Sequence, residues 1–474
     1  MKFITLLTIP LFPAFLSAQQ ILVIKNVAVI DVKSSKVNKH QTVVMTGNKI
    51  TSIGTTIKSP KNATVVNATG KFLIPGLWDM HAHALLDSTY VWVFPLLIAN
   101  GVTGIRDMGN NLSFSQINQI RRDILQGKML GPRLGATTAK ILDGIKVGQS
   151  AVSGASLTSN STAIQTPEEA RELVKEYKRQ GMDFIKPYNH LSREEYLAIV
   201  DEAKKQNIPF GGHVPNAMTA AEVSDLGQSS IEHNWDIFVS CSSDESMLRQ
   251  ELGKIPYNQP VSPARSEINR KAVATYDRAK ATNLFSHFAQ NGTWMCPTIV
   301  FFTPIAFQED ELINDRRLQY IPRYLQTIWH NQFRQRTALN SNDEKKLNDQ
   351  RRFEIVGLMD SIGIRLLAGT DLNNAYVFPG FSVHEELENF VKAGLPPAKA
   401  LQTATLNPAI FLKATDSLGT IEKGKIADLV LLDANPLENI SNTKKIYAVI
   451  ANGKLLERKH LNELLNQVKE LVAK

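Results

Sequence analysis

From about residue 76 to residue 409, short apolar runs alternate with longer segments of helical period, and that alternation confines the chain to a parallel α/β architecture. The predicted strands are Trp78–His83, Val102–Asp107, Arg133–Thr137, Asp183–Lys186, Pro209–His213, Ser230–His233, Thr293–Phe301 and Arg365–Asp371. Eight strands in about 330 residues suit a TIM-like (β/α)₈ barrel with insertions, in which catalytic groups gather at the C-terminal strand ends. Helix starts fit the alternation. Thr166 precedes Pro167 and two acids, a cap followed by proline in the first turn. Ser192 and Glu195 have capping-box spacing.

The two ends of the chain read differently. Ile21–Ile74 is a set of short alternating runs punctuated by Gly47-Asn48 and Gly70-Lys71, and a matching set returns over Leu429–Asp433 and Ile446–Lys454. A small isolated sheet is marginal by itself, so the ends are expected to pair into one β-sandwich domain, 19–75 with 410–474, bracketing the barrel at 76–409. Residues 1–18 read as a secretory signal: Lys2, the apolar run Phe3–Phe15 broken by Pro10 and Pro13, then Leu-Ser-Ala. The expected location is exported, periplasmic or extracellular. No later apolar segment is long enough to span a bilayer.

A length of 474 residues with 43% apolar content accommodates a barrel and a smaller domain. The formal net charge of +8 is spread over scattered basic residues without an aromatic-interleaved stripe, which argues for a solvated surface and against nucleic acid as partner. Cys241 and Cys296 lie far apart; sequence leaves open whether they pair, as it leaves open a homo-oligomer. Lys140–Gln165 is a long Gly/Ser/Thr-rich connection, either a lid over the barrel mouth or a surface insertion. The long segments 235–292 and 302–360 are candidates for walls of a substrate pocket.

Chemistry concentrates at the strand ends. His81 and His83 are two residues apart on a predicted strand, so both imidazoles can face one metal ion. Lys186, His213, His233 and Asp371 close four further predicted strands.

Five motifs together resemble the amidohydrolase superfamily, in its branch with two metals bridged by a modified lysine: Gly76-Leu-Trp-Asp-Met-His-Ala-His83, Asp183-Phe-Ile-Lys186, Gly212-His213, Ile231-Glu-His233 and Gly369-Thr-Asp371. Gly101–Gly109, Ala393–Pro408 and Gly419–Val430 add likeness to the proline-dipeptidase (prolidase) and imidazolonepropionase-related group. The resemblance implies that His81, His83 and Asp371 hold one divalent metal and His213 and His233 a second. Lys186 would bridge them as an N-carboxylated lysine formed with carbon dioxide or bicarbonate. Zinc suits imidazole and carboxylate ligands, although mixed N/O sites also take manganese, cobalt or iron. The implied mechanism is attack by a metal-bridging hydroxide, with Asp371 as proton shuttle.

The substrate expected on this basis is a small molecule with a C–N amide bond, a Xaa-Pro dipeptide or an N-acyl amino acid. The same site could serve a lactone or organophosphate ester, and a non-catalytic binding protein is the reading from another class. Three residues are candidates around the substrate. Tyr188 could orient a carbonyl or carboxylate, or simply pack. Arg106 offers a fork for a carboxylate or a structural ion pair. His384 sits at the start of a helix-like stretch, as a neighbour of the site or a core histidine.

Overall fold

The computed structural model of the protein describes residues 20–144, 160–255, 263–303, 309–338 and 341–473. The predicted signal lies outside the described residues, as does the middle of the 140–165 segment.

Both chain ends enter one eight-stranded sheet. Its order is Lys454–Glu457, Ile446–Ala451, Leu429–Leu432, Phe72–Pro75, Ile21–Asp31, Lys36–Thr46, Lys49–Gly54, with Thr64–Asn67 paired alongside Ile21–Asp31. The join is antiparallel, Leu429 opposite Pro75 and Leu432 opposite Phe72. Strands from the two ends share a core that includes Leu22, Ile24, Val43, Met45, Leu429 and Leu431. Covering these side chains is what a hairpin from either end cannot do alone.

The middle of the chain is TIM-barrel-like α/β. Leu77–Ala82, Val102–Asp107 and Arg133–Thr137 form a parallel three-stranded sheet. The pairing then passes from Thr137 O to Asp183 N at 2.9 Å, from Pro209 O to Ile185 N at 2.9 Å, and from Ser230 O to Gly212 N at 3.1 Å. Ser230–Glu232 runs parallel to Trp294–Cys296. Met295 O accepts from Leu367 N at 2.9 Å, and Ala368 O accepts from Met80 N at 2.8 Å, which brings the sequence of bonds back to the first strand.

Several expected strands are shorter than predicted. Around Lys186, His213 and Leu366 only isolated parallel bridges remain. The expected strand Thr293–Phe301 is a strand only over Trp294–Cys296, followed by a 3₁₀ turn at Ile299–Phe301. Part of the cause is local: His233, directly after Ser230–Glu232, Thr298, two residues past Trp294–Cys296, and Asp371 have φ of 65°, 46° and 60°, outside the extended region. The 140–165 connection is not a bare loop at its ends, because Ile141–Asp143 and Ser161–Ala163 pair in parallel.

The predicted helix caps are present: Thr166 Oγ1 accepts from Glu169 N, and Ser192 with Glu195 completes a capping box. The two long insertions carry helices, among them Pro263–Ala274 in the first and Arg323–Ala338 in the second. Cys241 and Cys296 are both buried free thiols. Among the described residues no helix is long and apolar enough to cross a membrane.

Candidate metal centre

The strand ends converge. His81 and His83 come from the first strand and its exit, and their Nε2 atoms lie 3.5 and 3.4 Å from Asp371 Oδ1. His233 Nε2 is 3.8 Å from Asp371 Oδ2. Lys186 Nζ is 3.2 Å from His81 Nε2, and the His213 and His233 rings are 4.8 Å apart. All six side chains expected at the strand ends therefore form one buried cluster. His81, His83 and Asp371 bring one donor atom each to within 4.8 Å of one another, a spacing that can hold a metal ion.

Backbone geometry fixes this approach. Asp371 N donates to His81 O at 2.7 Å, tying the last strand to the first. A Cβ on Gly369 would lie 2.4 Å from Cys296 Sγ and 2.7 Å from His81 Cβ, so only glycine lets the strands approach this closely. Asp79 reinforces the contact: Oδ1 accepts from His81 N and Thr370 N, while Oδ2 accepts from Thr370 Oγ1 at 2.5 Å. Burial pushes the Asp79 carboxyl up to about 7.

Each imidazole is oriented from behind. Nδ1 of His81 donates to Glu232 Oε2 at 2.8 Å, that of His83 to Gly109 O at 2.7 Å, and that of His213 to Asn189 Oδ1 at 2.8 Å. Nδ1 of His233 meets Thr298 Oγ1 at 2.7 Å. Thr298 is in turn held by the turn that follows it, where Glu386 accepts from Ile299 N and Val300 N. With every Nδ1 occupied, the four Nε2 atoms are left for the cluster, the arrangement found around metal-ligating histidines. Burial is the main force lowering all four imidazoles below their ordinary value, His83 to about 3. Neutral imidazole is the ligating form. Burial also lowers Lys186 to about 8, against the pull of Asp371 and Glu232, and raises Asp371 to about 6, against Lys186 and Arg336. The donor set fits divalent cations: neutral Nε2 atoms, a carboxylate and oriented rings.

The sequence profile of the amidohydrolase family matches residues 72–456. The chain belongs to the amidohydrolase family. Among curated proteins, adenine deaminase 1 of Desulfotalea psychrophila (strain LSv54 / DSM 12343) is 40% identical over 68 residues, 14% of this chain and 10% of the deaminase. Among solved structures, a Xaa-Pro dipeptidase with bound methionine in its active site is 21% identical with TM-score 0.64, covering 92% of this chain and 100% of the dipeptidase. Bottromycin amidohydrolase is 21% identical with TM-score 0.71, covering 95% of this chain and 90% of that enzyme. Ochratoxinase of A. niger is 18% identical with TM-score 0.62, covering 93% and 96%. At these identities the likeness to solved structures is one of fold.

For two residues of this amidohydrolase the structure shows the structural one of the two roles that the sequence left open. Arg106 does not present its fork to a substrate carboxylate. It is buried behind the cluster, where Nε donates to Met80 O at 2.6 Å, Nη1 to Ser230 Oγ at 2.9 Å and Nη2 to both Glu232 oxygens at 2.8 and 2.9 Å. It thereby positions Glu232, and through it His81. His384 is also buried away from the cluster: Nε2 lies 3.0 Å from Asn100 O and Nδ1 3.0 Å from Thr443 Oγ1, joining the helix Phe381–Lys392 to its neighbours. Tyr188 is beside the cluster, its ring 4.1 Å from that of His213.

Sequence reading assigned no role to Glu232, Asn189, Thr298, Asp79 or Glu386, the groups that orient the ligand candidates. Asp79 and Glu232 alone carried a signal, each lying inside a quoted motif.

Proposed function

We propose that this protein is a metal-dependent hydrolase of a C–N amide bond, with Xaa-Pro dipeptides or N-acyl amino acids as substrates. The observation that carries the proposal is the convergence of His81, His83, His213, His233, Lys186 and Asp371, with each imidazole's Nδ1 occupied from behind. His81, His83 and Asp371 would hold one divalent cation and His213 with His233 another, zinc being the choice that suits these donors. Lys186 would join the two sites as an N-carboxylated lysine; the support is the family resemblance together with a buried Nζ 3.2 Å from His81 Nε2. When bound, the cations would supply Lewis acidity towards the substrate oxygen and an attacking water of lowered pKa.

The protein's own groups do the rest. Asp371 takes the proton of the attacking water and passes it to the leaving amine, which departs only when protonated. Tyr188 can orient a substrate oxygen through its hydroxyl. The side chains of Trp235 and Phe301 pack against His233, at ring-centroid distances of 4.9 and 6.1 Å, and limit water there. The architecture proposed with this chemistry is a closed (β/α)₈ barrel over 76–409 and a β-sandwich domain from 19–75 with 410–474. The return of backbone hydrogen bonds to Met80 and the sheet shared by both ends support it. Residues 1–18 are proposed as an export signal.

The test is a turnover panel on the metal-loaded protein. Xaa-Pro dipeptides and N-acyl amino acids are set beside lactones and phosphotriesters. Amide hydrolysis is the expected result; activity confined to the esters would overturn the proposal.

A further inference from the structure

Two inserted helices each bring an arginine to the cluster. Arg265, on Pro263–Ala274, interacts electrostatically with Tyr188 but also with Asp143 and Asp236, and donates to Asn216 Oδ1 at 3.2 Å. Arg336, on Arg323–Ala338, has Asp371 as its attracting carboxylate.

The position of Arg336 is set by packing. Phe333 and Trp329 are buried residues one and two turns before it on the same helical face. Trp329 lies against Tyr376 and Phe378 at 5.9 and 5.6 Å, and Phe333 against Tyr376 at 6.0 Å. These two aromatics follow Asp371 within a few residues, so the helix is fastened to the segment that carries the proton shuttle. Arg336 continues that face, with Cζ 4.5 Å from the centre of the Phe301 ring. Phe301 also meets Phe302, at 4.8 Å, Trp235, at 5.6 Å, and His233, at 6.1 Å. The guanidinium thus sits over an aromatic wall shared with a metal-ligand candidate.

We infer that Arg336 binds the free carboxylate of an anionic substrate beside the scissile amide and is a determinant of specificity. This rests on the proposed C–N hydrolysis. A guanidinium held over an aromatic ring loses little freedom when it forks a carboxylate, and its planar donors match the two oxygens. Arg106, the arginine that sequence pattern offered for this task, is committed to Glu232. Arg336 supplies the same chemistry from an insertion.

The experiment measures kcat and KM for dipeptides and N-acyl amino acids, each as free acid and as carboxamide. The metal-loaded full chain is compared as wild type, Arg336→Met and Arg336→Lys. The wild type is expected to favour the acids. Arg336→Met should lower the acid-to-amide ratio of kcat/KM about 10–100-fold, mainly through KM of the acids, the range expected for losing hydrogen bonds to a charged group. Arg336→Lys should restore part of the ratio, and it provides the comparison should the methionine variant fold poorly. An unchanged ratio in either variant overturns the inference while leaving amide hydrolysis intact. Absence of turnover of both acids and amides by the wild type overturns the substrate reading, and the inference with it.

Discussion

Asp371→Asn is expected to abolish turnover while the fold persists. Asparagine has the same shape and accepts the left-handed backbone at this position, where φ is 60°. It also keeps the N–H that donates to His81 O. What it lacks is the charge and the ability to carry a proton between water and leaving group. Losing general acid–base catalysis costs about 10²–10⁴ in rate, and losing an anionic ligand adds to that. Steady-state kinetics with circular dichroism check the prediction. Retention of most activity in a folded variant would remove Asp371 from the proton path.

Arg106→Met is expected to have the largest effect on stability. Arg106 and Glu232 side chains are 2% and 0% exposed, and the guanidinium holds both carboxylate oxygens. Methionine fills similar space but leaves Glu232 as an uncompensated buried charge, a change that costs about 3–5 kcal/mol. His81 would lose its fixed partner, and weakening such support lowers metal affinity about 10–100-fold. A thermal melt should show a midpoint lower by about 5 °C or more, and titration with zinc should show weaker binding. If both match wild type, Arg106 is not the strut described above. Adding Glu232→Gln to Arg106→Met should recover part of the midpoint, because the stranded charge is gone.

The difference between Arg106 and Arg336 marks where sequence stops being informative. The strand-end residues could be read because strand periodicity and short motifs place them without knowledge of tertiary contacts. His81 and His83 share a strand, and Lys186, His213, His233 and Asp371 each follow an apolar run. The alternating strands at both chain ends were similarly legible as partners, although they were expected as a β-sandwich and share one eight-stranded sheet. The direction of Arg106 was not, because it depends on Glu232, 126 residues later. The same holds for the acceptors behind the imidazoles: Thr298 reaches His233 from 65 residues away through a left-handed residue that no strand pattern predicts. Around His233, Thr298 and Asp371 strand lengths were overestimated for a related reason, since the backbone leaves the extended region at these residues. Arg336 lies on a polar inserted helix whose facing is decided by Trp329 and Phe333 packing on Tyr376 and Phe378, not by any local signal.

The most direct test of the proposed metal centre is a crystal structure of the full chain supplied with zinc and bicarbonate, with data collected at the zinc absorption edge. Two anomalous peaks are predicted, one reached by His81, His83 and Asp371 and the other by His213 and His233, at about 2.0–2.2 Å. Density extending from Lys186 Nζ should join them. No anomalous peak among those side chains, with Lys186 a plain amine, would contradict the account.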